Sequence, residues 1–157
     1  MISDELLEAI KILTIKLKGV RLTLIVSANL AVHGIEINPK DIYVLTDSKE
    51  ITKIKSVLKE YEKKLFSYGE KGLFKSYLAE YKINKIKVEI MADFEVKRKN
   101  KWISLSDRLN NLNIIKLNVV EIPVSSLDEQ LKGYKKLGRD KDKLKIKLIE
   151  DFLIKCK

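Results

Sequence analysis

Residues 25–45 read IVSANLAVHGIEINPKDIYVL, and this stretch decides the expected fold. It opens at the end of an apolar run, 21–26, whose leucine and β-branched residues predict a strand buried on both faces. A short helix is expected over 28–33, where Gly34 stops it. An Asn-Pro pair then predicts a turn, and a second strand follows over 41–45. The stretch therefore predicts two strands joined through a short helix and a turn.

The flanking segments predict a sheet covered by helices. Ser3 can cap a helix over 4–17, because its hydroxyl oxygen accepts a hydrogen bond from a first-turn N–H. In chain order, the further expected elements are a helix from a capping box at Asp47 and Glu50 to about Phe66, strands over 74–83 and 86–91, strands over 102–105 and 114–122, and helices over 127–137 and 141–154. The predicted fold class is α/β (α+β), a mixed sheet flanked by helices with two C-terminal helices.

Composition predicts one globular domain over residues 1–157, with 45% hydrophobic and 34% charged residues. The single cysteine, Cys156, excludes a disulfide framework and a cysteine-based zinc site. No apolar run approaches the roughly 20 residues of a membrane helix, and residues 1–5 are too polar for a signal peptide. We therefore expect a cytoplasmic protein with no membrane partner.

The formal net charge of +10 raises the prospect of a polyanionic partner such as nucleic acid. A basic cluster at Lys97, Arg98, Lys99 and Lys101 could bind it. The alternative explanation is a lysine-rich surface typical of thermophiles, which also fits the abundant isoleucine and the single glutamine, Gln130. Aromatic residues make up only 7%, so platforms for stacked bases are scarce.

Several familiar sites are missing from the sequence. No glycine-rich loop follows a strand, so neither a P-loop nor a dinucleotide-binding motif is present. His33 is the only histidine, which makes a catalytic triad hard to build. A lone histidine near a helix end is expected to be a packed or capping residue.

The layout of the deciding stretch resembles the nucleotidyltransferase fold. In that family a strand ends in Gly-Ser before a short helix, the next strand carries Asp-x-Asp, and a neighbouring strand adds a third carboxylate. Ser27, the short helix after it and Asp41-Ile42-Tyr43 match this order, and Glu89 stands as the third carboxylate. Residues 122–142 are similar to the family's lead-in to its C-terminal helix pair, and the resemblance covers about 20–155.

The resemblance implies a site that transfers a nucleotidyl group with the help of Mg²⁺. Two metal ions about 4 Å apart can clamp the attacking and leaving oxygens of such a transfer. Residues on a strand that are two apart share one face, so Asp-x-Asp presents both carboxylates together. On this basis Asp41 and Glu89 are the candidate catalytic and metal-binding residues. The candidate nucleotide-binding residues are Ser27, Ala28, Asn29, Tyr43 and Arg139.

The sequence departs from the family at the positions that matter most for catalysis. Val26 replaces the glycine before the serine, and its β-carbon should crowd an approaching phosphate. Tyr43 replaces the second carboxylate of Asp-x-Asp, and a neutral phenol is no Mg²⁺ ligand at neutral pH. We therefore predict a degenerate, non-catalytic protein that binds a nucleotide or a protein partner. The alternatives are an active Mg²⁺-dependent nucleotidyltransferase and a basic RNA- or DNA-binding protein.

Structural explanations remain open for the same residues. Asp41 could be a turn residue at the start of its strand, and Tyr43 is expected to form a core or pocket wall. A carboxylate on an apolar strand is costly without a partner, so Glu89 should pair with a cation such as Lys87 or Arg139. Arg139 could instead cap a helix end.

Overall fold

A mixed sheet of eight strands organises the fold in a computed structural model that describes residues 2–156. The strands are β1 (Leu22–Ile25), β2 (Asp41–Thr46), β3 (Glu62–Lys71), β4 (Phe74–Ile83), β5 (Ile86–Arg98), β6 (Lys101–Ser104), β7 (Asn113–Leu117) and β8 (Val120–Val124). The helices are α1 (Asp4–Lys16), α2 (Val26–Val32), α3 (Ile51–Val57), α4 (Leu127–Leu137) and α5 (Lys143–Lys155). The predicted fold class, a mixed sheet flanked by helices with two at the C-terminal end, is confirmed.

The strand order places the deciding stretch at the centre of the sheet. Along the sheet the order is β3-β4-β5-β2-β1-β8-β7, and β6 pairs with the far end of β5. β2 runs parallel to β5 and β1 runs parallel to β8, whereas the other pairs are antiparallel. β1 and β2 are therefore adjacent, and the strand that carries Glu89 lies directly beside the strand that carries Asp41.

Helices α1 and α3 cover one face of the sheet. Ser3 caps α1 as expected, because its Oγ accepts a hydrogen bond from the backbone N–H of Leu6 at 3.2 Å. Leu6, Ile10 and Leu13 are fully buried against the sheet, and Ile54 of α3 joins the same core. Burial of each such side chain contributes roughly 1.5–3 kcal/mol, so this face supplies most of the driving force for folding.

Strand β5 changes faces part of the way along its length. Up to Met91 its even-numbered residues point into the core and its odd-numbered residues point to the other face. Asp93 has a φ of 53°, and the pairing of β5 with β4 shifts register at this point. Such a bulge reverses the alternation. Phe94 and Val96 therefore share the second face with Ile25 of β1.

The predicted helix over residues 51–66 is wrong beyond its first two turns. α3 ends at Val57, and residues 62–71 form the outermost strand, β3. The long β4 pairs with β3 from Tyr81 to Phe74, and this pairing overrides the helical spacing of the apolar residues. Leu65, one of the apolar residues at helical spacing in this segment, is 58% exposed on the sheet edge.

The predicted strand over 114–122 is two strands. β7 and β8 form a hairpin in which Leu117 pairs with Val120. Asn118 adopts a φ of 57° in the two-residue turn, a conformation that asparagine tolerates better than most residues. Pro123 lies within β8 rather than ending it.

The helices of residues 2–156 are all short or polar. No helix in that range is both long and apolar enough to span a membrane.

Candidate functional site

An open groove of about 1410 Å³ lies between the second face of the sheet and helix α4. Its floor comes from β2, β4 and β5, and the start of α2 forms one wall. Among the described residues, ten lysine and arginine side chains and four carboxylates line it. This excess of positive charge favours an anionic occupant.

The carboxylates in the middle of the groove surround a lysine. Tyr43 of β2 pairs with Glu89 of the parallel strand β5, and Asp41 pairs with Lys87. Glu80 of β4 lies directly opposite Glu89 on the other side. The Lys87 ammonium is 2.9 Å from a Glu89 carboxylate oxygen and 3.8 Å from a Glu80 oxygen. β5 thus places Glu89 beside Asp41-Ile42-Tyr43, with the Lys87 ammonium between Glu89 and Glu80.

The electrostatics of this cluster favour the protonated forms of Lys87 and Tyr43. The hydrogen bond and the charge of Glu89, followed by Glu80 and Asp41, raise the pKa of Lys87 above its ordinary value. Burial, followed by the charges of Glu89 and Asp41, raises the pKa of the Tyr43 phenol. At neutral pH the cluster therefore contains a charged ammonium and a neutral phenol.

These residues do not fit the pair of metal ions that the resemblance implies. The Oε1 of Glu89 is ion-paired with Lys87, so a metal ion bound by this carboxylate would lie beside the ammonium. The position of the second Asp-x-Asp carboxylate holds the neutral Tyr43. Within residues 2–156, no group of three or more histidine, cysteine or acidic side chains is arranged to hold a metal ion.

Val26 adopts a backbone conformation that normally requires glycine. Its φ is 63°, in the left-handed region, and a β-branched residue there costs of order 1–2 kcal/mol. The side chain lines the groove and packs on the apolar clusters on either side. Val26 therefore holds a glycine-like backbone conformation at the position where the resemblance implies a glycine.

The backbone amide at this turn is already used within the protein. The N–H of Val26 donates to Oε1 of Gln130 on α4 at 2.6 Å. The Gln130 side chain thus takes the acceptor position that a ligand oxygen would otherwise occupy. Ser27 lines the groove beside it.

Two of the candidate nucleotide-binding side chains do not reach the groove. The Ala28 and Asn29 side chains are fully buried. Asn29 donates from Nδ2 to the Ser125 carbonyl at 2.9 Å, and its Oδ1 accepts from the Ser125 N–H at 2.9 Å. His33 also contacts the Ser125 carbonyl through Nε2 at 2.9 Å, and burial lowers its pKa. These hydrogen bonds to Ser125 hold α2 against the end of β8.

Arg139 lies where α4 ends, beside the groove, and its side chain caps neither neighbouring helix. Gly138, with a φ of 64°, closes α4 as predicted. The Nε of Arg139 donates to Oδ2 of the fully buried Asp142 at 2.7 Å, which joins the two C-terminal helices. Its guanidinium also lies 5.5 Å from the centre of the Phe74 ring and lines the groove.

The predicted basic cluster divides between the groove and the hairpin tip. Lys97, Lys99 and Lys101 are exposed around the turn between β5 and β6, and Lys97 lies over the Trp102 ring at 5.8 Å. Arg98 is partly buried and lines the groove. One of the four basic residues therefore belongs to the site.

Three residues of the site were not identified from the sequence. Gln130 stood out only as the single glutamine, and nothing local linked it to Val26. Lys87 was considered only as a partner for Glu89, although its place two residues away on one strand puts both on one face. Arg108 lies in the single-turn helix Ser106–Asn110 between two strands. No periodic pattern in the sequence there shows which way its side chain points.

Comparison with known proteins agrees with this architecture. No protein-family model and no curated protein matches the sequence. Among solved structures, a candidate nucleotidyltransferase from Thermotoga maritima is similar over 99% of this chain and 96% of its own, with a TM-score of 0.82 and 26% identity.

Two more distant structures share the fold. The lincosamide antibiotic adenylyltransferase LnuA, solved with lincomycin bound, has a TM-score of 0.52 and 12% identity over 82% of this chain and 85% of its own. An antigenic nucleotidyltransferase-like protein from Paracoccidioides brasiliensis has a TM-score of 0.52 and 13% identity over 94% and 74%. With the strand–turn–helix layout and the paired acidic strands described above, the chain belongs to the nucleotidyltransferase-fold superfamily.

Proposed function

We propose that this protein binds a nucleotide through its phosphates, without a divalent metal and without transferring a nucleotidyl group. The observation that carries the proposal is the Lys87 ammonium, which lies 2.9 Å from Glu89 and 3.8 Å from Glu80. In this proposal the ammonium takes over the charge balance that a metal ion would supply to these carboxylates.

Mg²⁺ would have to compete with that ammonium. A divalent ion near Asp41 and Glu89 would be repelled by Lys87 or would have to displace it, and either change costs electrostatic energy. Mg²⁺ also demands near-ideal octahedral oxygen geometry, and the neutral Tyr43 phenol offers no charged ligand in its place. We therefore assign Asp41 and Glu89 to holding Lys87 rather than to catalysis.

The rest of the groove supports an anionic ligand. Ten basic side chains against four acidic ones line it, so the net local charge is positive even without a metal. LnuA, which has the same fold, is a lincosamide antibiotic adenylyltransferase. A nucleotide is accordingly the phosphate-bearing ligand that we propose here.

The proposal predicts that nucleotides stabilise the protein in the presence of EDTA. ATP, GTP, CTP and UTP would each be titrated while thermal unfolding is followed. A nucleotide at 100 times its dissociation constant should add about 2.7 kcal/mol to the free energy of unfolding. The matching nucleosides are the control and should shift the unfolding temperature much less, because they lack the phosphates. If none of the four nucleotides changes the unfolding temperature, nucleotide binding is wrong.

A further inference from the structure

Two arginines meet on the α4 side of the groove without carboxylate partners. Arg98 lies at the end of β5, and Arg108 lies in the single-turn helix Ser106–Asn110. Both line the groove, and neither forms an ion pair with any residue of the described range 2–156. Cations that are partly removed from water without a counter-charge are costly, so their presence together calls for an anion.

Arg108 is held against the backbone of α4 at a glycine. A β-carbon on Gly133 would lie 2.7 Å from Nη2 of Arg108, so a larger residue here would force the end of the Arg108 side chain to move. Glycine is among the least favourable residues inside a helix, which makes its place at this contact informative. The guanidinium makes one long hydrogen bond, 3.5 Å, to the Glu129 carbonyl oxygen. Most of its donors are therefore free for a ligand.

A tyrosine beside these arginines has an unused donor. Tyr134 is 4% exposed, lines the groove, and its hydroxyl has no hydrogen-bond partner among residues 2–156. Burial and then the charge of Asp142 raise its pKa, while Arg139 and Arg108 act in the opposite direction, which places both guanidinium groups and the Asp142 carboxylate near the phenol. The Nε of Arg98 is likewise buried without a partner. Arg98 Nε and the Tyr134 hydroxyl are thus buried donors without partners among residues 2–156, and Arg108 has further donors beyond its one long hydrogen bond.

Glu129 is the nearest counter-charge to Arg108. Its charge raises the pKa of Arg108, whereas burial, the larger effect, and the nearby Arg98 lower it. Its Oε2 is buried without a partner of its own. The carboxylate therefore balances part of the charge of Arg108 through space, while the guanidinium donates only its one long hydrogen bond to residues 2–156.

We propose that Arg98, Arg108 and the Tyr134 hydroxyl form a phosphate-binding subsite on the α4 side of the groove. This deepens the proposed nucleotide binding and rests on it. Planar guanidinium groups pair with phosphate oxygens through two parallel hydrogen bonds, and a phosphoryl group has enough acceptors for all three side chains. This subsite would bind phosphate in place of the turn at Val26, because the Val26 N–H already donates a hydrogen bond to Gln130.

The test is calorimetric titration in EDTA of the full chain with sodium tripolyphosphate and with the nucleoside triphosphate that stabilises it most. Arg108→Gln and Arg98→Gln should each weaken binding of the nucleotide by about 10- to 100-fold, because each removes a charge-assisted hydrogen bond. Gly133→Ala leaves the charge unchanged but displaces the guanidinium of Arg108, so it should weaken binding in the same direction. Lys116→Gln, an exposed charge loss outside the groove, should leave affinity within about twofold.

The outcomes separate the subsite from the proposed function. If the wild-type protein binds the nucleotide and both arginine variants bind it equally well, the subsite is wrong and nucleotide binding stands. If the wild-type protein binds neither ligand, both proposals fail. If Arg108→Gln weakens binding but Gly133→Ala does not, Arg108 acts only through long-range charge and the positioned contact is wrong. Tripolyphosphate that binds within tenfold of the nucleotide would identify the phosphates alone as sufficient, and weaker binding would add a role for the nucleoside.

Discussion

A protein that carries both Tyr43→Asp and Lys87→Gln should bind Mn²⁺, whereas Tyr43→Asp alone should bind it at least about 10-fold more weakly. The first substitution restores a carboxylate beside Glu89 and on the same face as Asp41, as the pairing of β2 with β5 requires. The second removes the ammonium that lies 2.9 Å from Glu89. Two unit charges 4 Å apart repel by about 1 kcal/mol even in water, and a divalent ion doubles this to about 2 kcal/mol, which exceeds the roughly 1.4 kcal/mol of a tenfold difference.

The measurement is a titration of free Mn²⁺ followed by its electron paramagnetic resonance signal, which is lost when the ion binds protein. Tyr43→Asp combined with Lys116→Gln is the matched control, since it removes an equal charge far from Glu89 and should behave like Tyr43→Asp alone. Equal Mn²⁺ affinity of Tyr43→Asp with and without Lys87→Gln would show that Lys87 does not block the site.

Replacement of Asn29 by alanine should lower the free energy of unfolding by about 2–4 kcal/mol. The Asn29 side chain is fully buried and bonds both the N–H and the carbonyl of Ser125, each at 2.9 Å. Its loss leaves the buried Ser125 N–H without a partner, at about 1–3 kcal/mol, and removes one of the two hydrogen bonds of the Ser125 carbonyl, which keeps His33, at about 1 kcal/mol.

Urea unfolding curves with an unchanged slope would measure this loss. Asn38→Ala is the control, because Asn38 is exposed in the turn before β2 and should cost no more than about 0.5 kcal/mol. A loss below 1 kcal/mol for Asn29→Ala would mean that other contacts hold α2 against β8. The hydrogen bonds between Asn29 and Ser125 would then not be what positions α2 at the groove.

The deciding stretch could be predicted from sequence because its signals are local. The apolar strand, the short helix closed by Gly34 and the turn before Asp41 lie within 25 residues of one another. The parallel pairing that brings Glu89 beside β2 could only be anticipated through the resemblance, since it joins strands that are more than 40 positions apart.

The two wrong secondary-structure predictions have different causes. The apolar residues that follow Val57 fit helical spacing, and only pairing with β4 selects a strand for residues 62–71. In the hairpin of β7 and β8, Asn118 supplies a weak turn signal without an accompanying glycine. For residues 62–71 the local pattern allowed a helix and a distant strand pairing selected a strand. For residues 114–122 the local pattern allowed one strand and the weak turn signal at Asn118 was missed.

The site was predicted less completely than the fold. Tyr43 lines the groove wall as expected, and Glu89 pairs with Lys87, one of the two partners proposed for it. The hydrogen bond from Val26 to Gln130 joins residues 104 positions apart, so no sequence pattern could indicate it. The approach of Arg108 to Gly133 depends in the same way on the packing of an irregular segment against α4.

We have proposed that Lys87 balances the charge of the carboxylates in place of a metal ion. The affinity for a nucleotide, measured with and without Mg²⁺, is the sharpest test of this proposal. The dissociation constant of the nucleotide that stabilises the protein most would be measured by calorimetry, once in EDTA and once in excess Mg²⁺. We predict that Mg²⁺ does not tighten binding, because the ammonium beside Glu89 already balances the carboxylates. A dissociation constant at least about tenfold lower in Mg²⁺, equivalent to about 1.4 kcal/mol, would contradict the account and place a metal ion in the groove.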